Sequence, residues 1–325
     1  MRTIGKWLIA AVLMIGLGLA KPLWASPTDT ADEALKRDQI CTRCHDESET
    51  KPILSIYQTK HGVRGDARTP SCQSCHGESE KHLKGDPNYP GRAPPDVVFN
   101  KGTYAVTDDK TRASQCLTCH KGTNRTRWDG GQHQTNGMAC NSCHTIHAPA
   151  DPLLARGTQQ DKCFTCHKEQ RADTLKISTH PIDAGKMVCS DCHNPHGAAG
   201  PKLLKMNTVN ETCWQCHADK RGPFLWEHQP AVEDCTNCHT PHGSNITPLL
   251  KSRPPFLCQD CHDGPHNSKN AVGPNAAGFQ GGLSPKNAAN TGLLFPSTQA
   301  AARACMNCHA MVHGSNDPAG AFLHR

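Results

Sequence analysis

The chain has 325 residues, a formal charge of +6 and only 5% aromatic side chains. Its mean hydropathy is −0.62, so its side chains alone offer little apolar surface for a core of this length. The charge is small, and nothing in its balance argues for a nucleic-acid partner.

At the N-terminus, Arg2 and Lys6 precede the apolar run WLIAAVLMIGLGLA, and a short stretch follows to Ala25, with Ala20 the other cleavage point. This order reads as a secretory signal peptide over residues 1–25. The apolar run is short for a spanning helix. Losing Arg2, Lys6 and Lys21 takes the formal charge from +6 to +3. The mature chain, 26–325, is expected to be exported, in a bacterium to the periplasm.

All 20 cysteines then fall in ten Cys-x-x-Cys-His strings. In chain order these are Cys41, Cys44, His45; Cys72, Cys75, His76; Cys116, Cys119, His120; Cys140, Cys143, His144; and Cys163, Cys166, His167. The series continues with Cys189, Cys192, His193; Cys213, Cys216, His217; Cys235, Cys238, His239; Cys258, Cys261, His262; and Cys305, Cys308, His309. The string is the attachment signature of c-type haem. Cysteines at i and i+3 share one face of a helical turn, so both sulfurs reach the vinyl groups of one porphyrin. The histidine at i+4 continues that face and coordinates the iron from the same side. Zinc ribbons do not require the trailing histidine, and a disulfide framework has no reason to repeat one spacing ten times. Ten covalent haem c groups would supply the core that the side chains lack. Their propionates outweigh the ferric centres, so the loaded protein is expected to be acidic.

The motifs are a repeat. Between Cys116 and Cys258 the first cysteines step by 24, 23, 26, 24, 22 and 23 residues, whereas the first two steps are 31 and 44 and the last is 47. Segments so short cannot form separate domains. A two-motif period is also visible: motif, intervening histidine, motif, trailing histidine, Leu-Leu, as at Leu153–Leu154, Leu203–Leu204 and Leu249–Leu250. These leucines are expected to pack on porphyrin. The expected fold is a multihaem cytochrome c, mostly irregular, elongated, with short α-helices at the motifs, haems as the core and little or no β-structure. Residues 26–325 are expected to form one domain of tandem two-haem repeats. The Gly- and Asn-rich stretch 267–299 reads as a long solvated loop.

Eleven histidines lie outside the motifs: His61, His82, His133, His147, His180, His196, His228, His242, His266, His313 and His324. Ten six-coordinate irons need ten second ligands, and all but the penultimate His324 are assigned as distal ligands. His82 fits the pattern least, trailing its motif by six residues. Met138, Met187, Met206, Met306 and Met311 are too few to compete and do not follow the repeat. Paired histidines give a lower potential than His–Met ligation and close the iron to substrate. His193 meets its iron from one face, and three residues cannot carry the chain round the macrocycle to the other. His196 is therefore expected on a different haem, as are His147, His242, His266 and His313. Such exchanges are expected to tie haems into pairs.

The ten motifs, the CHxPH strings and TKHGVRGDARTPSCQSCHG resemble the MtrA/DmsE-type decahaem cytochromes over essentially the whole mature chain. The resemblance implies a periplasmic haem wire inserted in an MtrB-type outer-membrane β-barrel. Its partners would be an extracellular cytochrome or reductase on one side and periplasmic or inner-membrane donor cytochromes on the other. It implies an electron carrier, with no catalytic residue. Two other functions stay open: a multihaem reductase of the nitrite, hydroxylamine or tetrathionate type, which needs an open iron, and a freely diffusing periplasmic electron shuttle.

Overall fold

A computed structural model describes residues 36–49, 51–63, 66, 68–262, 305–307, 309–318 and 323. The signal segment, His266, His324 and the stretch 267–299 lie outside the described residues. The described residues up to Thr107, with Ile146–Ala150, form one compact unit, and those of Asp108–Thr145 and from Asp151 onward form the other.

Helices are short and strand is scarce, as expected. The α-helices are α1 (Cys72–His76), α2 (Glu80–Lys84), α3 (Asp109–Leu117), α4 (Gln132–Thr135), α5 (Gln159–Phe164), α6 (Lys168–Thr174), α7 (Cys189–Cys192), α8 (Val209–Cys213), α9 (Gln229–Glu233) and α10 (Phe256–Gln259). Among the described residues the sheet is one antiparallel pair, β1 (Trp226–Glu227) with β2 (Gly314–Ser315), in register Trp226 to Ser315. No described helix is long and apolar enough to cross a membrane.

The two-motif period has a structural form. In the third, fifth, seventh and ninth motifs the first cysteine lies in the last turn of a helix, in α3, α5, α8 and α10. In the second, fourth, sixth, eighth and tenth it opens a helix or a 3₁₀ turn, at α1, Cys140–Ser142, α7, Cys235–Asn237 and Cys305–Asn307. The residue before the second cysteine has a matching job. Where the motif opens a turn, Ser74, Ser142 or Asp191 reaches back to accept from the N–H of Ser71, Ala139 or Val188, at 3.1, 3.1 and 2.9 Å. Where the motif closes a helix, Thr118 and Thr165 donate back to the carbonyls of Gln115 and Lys162.

Residues 36–42, around Cys41 of the first motif, are helical too, and the residue three places before the first cysteine of each of these five motifs is buried: Asp38, Ala113, Gln160, Asn210 and Pro255. Two of these join the helix to the following motif. Asp38 accepts from the N–H of Cys72 at 2.7 Å and from the Tyr57 hydroxyl at 2.8 Å. Asn210 accepts from the N–H of Cys235 at 2.7 Å and donates to the carbonyls of Ala231 and Val232. Side-chain packing adds little to this: Ala113, Trp128 and Ala139 form a small apolar cluster with Leu117 and Cys140.

The leucine pairs are not equivalent. Leu204 and Leu250 bridge back to His193 and His239 as isolated antiparallel pairs. The turns before them place Leu203 and Leu249 at φ +61°. Leu153 and Leu154 instead lie in a 3₁₀ turn, Pro152–Leu154, and Leu154 is 74% exposed.

Replacing Asn210 with Ala leaves the half-buried Cys235 N–H without its acceptor. The expected cost is about 1–3 kcal/mol, read as a lower unfolding midpoint of the loaded protein.

Candidate haem centres

Each motif is wound as a single turn. In nine of the ten, the histidine N–H donates to the carbonyl of the first cysteine, at 2.8–3.1 Å. In the remaining motif the whole CQSCH string is α1. Sulfurs and imidazole therefore share one face, as the spacing requires. No described cysteine is in a disulfide, and no three described His, Cys, Asp or Glu side chains converge as a metal-ion cluster would need.

The histidine rings form opposed pairs, each joining one motif histidine to one histidine from elsewhere. Ring centroids are 6.1 Å apart for His45 and His82, 6.3 Å for His76 and His147, and 6.1 Å for His144 and His196. They are 6.2 Å apart for His167 and His133, 6.1 Å for His193 and His242, and 6.4 Å for His217 and His180. For His239 and His313 the distance is 6.2 Å, and for His262 and His228 it is 6.0 Å. A metal ~2.0 Å from two facing imidazole nitrogens, with each centroid ~1.1 Å behind its nitrogen, puts the centroids about 6.2 Å apart. The residues present thus fit an iron held between two imidazoles.

The remaining ring nitrogens are turned away and anchored. Nδ1 of His82, His133, His147, His180 and His228 donates to the carbonyls of Ala93, Pro195, Ile53, Pro241 and Val312, at 2.6–2.8 Å. A carbonyl can only accept, so Nδ1 carries the proton and Nε2 keeps its lone pair for a metal. Burial holds His76, His193, His242 and His313 below the usual imidazole range. Burial, then the neighbouring His144, brings His196 down to about 4. At neutral pH these rings are in the uncharged, metal-binding form.

The partner of His196 is His144, not His193 three residues away, and His193 faces His242. The pairs are not reciprocal exchanges between neighbours, as the sequence reading expected. His147, His196, His242 and His313 face the motif two places back in the chain, whereas His133, His180 and His228 face the motif that follows next but one. This explains why Ile146–Ala150 belongs to the N-terminal unit, where His147 meets His76. The two sets of second histidines are locked together: the carbonyls of Pro195, Pro241 and Val312, each just before a backward-facing histidine, accept from His133, His180 and His228. The residue just after those histidines is glycine in all three cases. Gly197 has φ +108°, and a Cβ there would stand 2.0 Å from the Arg127 carbonyl oxygen. This PHG/VHG signature was open to sequence reasoning, which missed it.

His82 owes its unusual offset to the long segment before the third motif. Its Nδ1 donates to the carbonyl of buried Ala93, its own carbonyl accepts from Arg92, and Tyr104 meets its ring edge-on and donates to the Arg92 carbonyl.

The cysteines show how the motifs follow one another. First-cysteine thiols lie beside one another in the pairs Cys41–Cys72, Cys116–Cys140, Cys163–Cys189, Cys213–Cys235 and Cys258–Cys305. Second cysteines face the next motif: Cys143 feels Cys166, Cys192 feels Cys213 and Cys216, and Cys238 feels Cys261.

Residues 180–222 and 228–271 match the doubled CXXCH motif family, and residues 72–160 match the NrfB-like cytochrome c-type proteins. The multihaem cytochrome MtrA of Shewanella baltica is 39% identical over 292 residues, 88% of this chain and 80% of that protein. The chain belongs to the MtrA family of multihaem cytochromes c. Membership gives the motifs their cofactor, covalently bound haem c, and the protein its chemistry, electron transfer. The cytochrome c-type protein NrfB of Escherichia coli is 28% identical over 192 residues, 53% of this MtrA-family chain and 92% of NrfB. NrfB of Haemophilus influenzae is 27% identical over 195 residues, 50% and 84% of the two chains.

Ring planes are within 27° of parallel in five pairs but cross at 83° between His133 and His167. Parallel planes split the two iron orbitals that meet the ligand π-systems, and perpendicular planes leave them nearly degenerate. Low-temperature EPR of the oxidised protein is expected to show ordinary rhombic low-spin signals together with one strongly anisotropic signal, the latter lost in His133→Ala. Gly197→Ala is expected to displace His196, and it would appear as one haem converted to high spin in the visible spectrum.

Proposed function

We propose that the protein carries ten haem c groups, each held between two histidines, and conducts electrons along them. The observation that carries this reading is the set of opposed imidazole pairs, each uniting a motif histidine with a second histidine from another part of the chain. The motif histidines His45, His76, His120, His144, His167, His193, His217, His239, His262 and His309 are the proximal ligands. His82, His133, His147, His180, His196, His228, His242 and His313 are distal ligands by their pairing, and His61 and His266 complete the set by count. Haem c supplies one-electron chemistry, and the protein sets its potential and keeps solvent and substrates from the iron. An iron with two protein ligands has no position for nitrite or hydroxylamine, so the carrier reading is preferred to the reductase. From the third motif onward, the alternation of first-cysteine and second-cysteine contacts supports haems that follow one another in chain order.

In this reading residues 1–25 are a signal peptide, and residues 26–325 work as one cytochrome domain in the periplasm. Likeness to MtrA supports association with an MtrB-type outer-membrane barrel, which would link donor cytochromes inside to an extracellular cytochrome or reductase. A polar cytochrome can cross lipid only inside such a lumen.

The ligand assignment is tested with His196→Ala, which is expected to open one iron to carbon monoxide. The same change in a chain lacking Cys140 and Cys143 is expected to open none. If carbon monoxide binding persists there, the iron of His144 is not the partner of His196. The conduit is tested by extraction of outer membranes in mild detergent. Co-purification with a β-barrel is expected, and recovery only as a free periplasmic species would favour the shuttle.

A further inference from the structure

Resting on the ligation proposed above, we infer that Asp151 sets the potential of the haem at Cys140 and Cys143 and makes it the lowest-potential haem among the motifs anchored in this way. The repeat supplies its own comparison. In the second, sixth and eighth motifs Nδ1 of the proximal histidine donates to a backbone carbonyl: His76 to Val97, His193 to Lys202 and His239 to Pro248, at 2.9–3.0 Å. In the fourth, His144 donates to a carboxylate, Oδ2 of Asp151, at 2.6 Å. The cause is local. Lys202 and Pro248 lie in the turns that bring Leu204 and Leu250 back to His193 and His239, presenting a carbonyl to the ring. The fourth motif has no such bridge among the described residues. Aspartate replaces Gly200 and Thr247 as the residue before the proline of the turn. It caps that turn with Oδ1, which accepts from the Leu153 N–H at 3.1 Å, and Oδ2 is left for the ring.

A negatively charged acceptor draws the Nδ1 proton more strongly than a neutral carbonyl. The ring gains imidazolate character and becomes a stronger donor to iron, which favours the ferric state. The contact is sheltered, with the two side chains 26% and 11% exposed. His45 also has a carboxylate partner, Glu49, but that pair is exposed (40% and 38%) and more screened. On the opposite face, Nδ1 of His196 is buried and finds no acceptor among the described residues, so only one ligand of this iron is strengthened. Arg125 lies near His196 and acts the other way, favouring the ferrous state. It acts through space, whereas Asp151 bonds the ligand directly, so the carboxylate prevails. In a row of haems such a site is an uphill step, held oxidised while its neighbours are reduced.

The test is a spectroelectrochemical titration of the loaded protein, wild type against Asp151→Asn. Asparagine still caps the turn but removes the charge. The expected result is that about one-tenth of the absorbance change, a single haem's share by the count above, moves from the negative end of the curve to higher potential, with one low-spin EPR signal shifted. Asp151→Glu is expected to restore it in part. Asp151→Ser, which also keeps the cap, should behave as the Asn variant. Superimposable curves for wild type and Asn variant, with ten low-spin haems in both, would overturn this inference alone. So would loss of a haem from both Asn and Ser variants, because the carboxylate would then be needed to hold His144 and its haem in place and not to set a potential. Fewer than ten haems or high-spin iron in the wild type would instead overturn the ligation proposal.

Discussion

An iron between two imidazoles must be approached from both faces of a flat macrocycle, and a chain cannot reach both faces within a few residues. The rest of the architecture answers that constraint. The motif turn fixes one face with a single repeated hydrogen bond from the histidine N–H to the first cysteine carbonyl. On the proposed ligation the other face is served by a histidine from elsewhere in the chain, so that local and distant parts of the chain meet in the eight opposed pairs. Where the sequence has too little apolar surface to hold itself together, these centres and a few buried polar side chains such as Asp38 and Asn210 take over the role of a core.

The same constraint explains the division of labour between alternate motifs. A motif that closes a helix is presented by the helix before it, and at Asp38 and Asn210 the buried residue three places upstream reaches to the next motif. A motif that opens a turn is positioned by its own cap. The histidines that follow the two kinds travel in opposite directions along the chain, and they cross where a Pro-His or Val-His carbonyl accepts the other histidine's Nδ1. The glycine after that point is needed because another segment passes in contact, the Arg127 backbone at Gly197, the Asp173 backbone at Gly243 and the Phe224 side chain at Gly314.

Attachment was legible in the sequence because covalent chemistry imposes a fixed spacing on Cys189, Cys192 and His193. That His196 belongs elsewhere was also legible, since it follows from the thickness and width of a macrocycle. Its destination was not: reaching His144 rather than a neighbour depends on how the chain runs in three dimensions. His82 looked out of place because its offset was compared with other motifs, whereas the segment carrying Ala93, Arg92 and Tyr104 holds it. The pairing of Trp226 with Ser315 escaped notice for a related reason, being two residues long and far apart in the chain. The leucine pairs looked alike in letters, yet Leu203 and Leu249 turn with positive φ and Leu153 does not. Asp151 was hidden in the same way, as an ordinary residue before Pro152.

The crossing directions of the second histidines have a bearing on how the chain can be made. On the proposed ligation, no division point between the fourth and ninth motifs separates two complete pieces. Ending the chain after Met206, for example, would leave His193 without His242, and would leave His180 without the iron of His217. During export and haem attachment the growing protein therefore always has one iron short of a ligand near its leading edge, and one histidine waiting for an iron not yet attached. Maturation becomes a continuous zipper whose last tooth closes only when the C-terminal motif arrives.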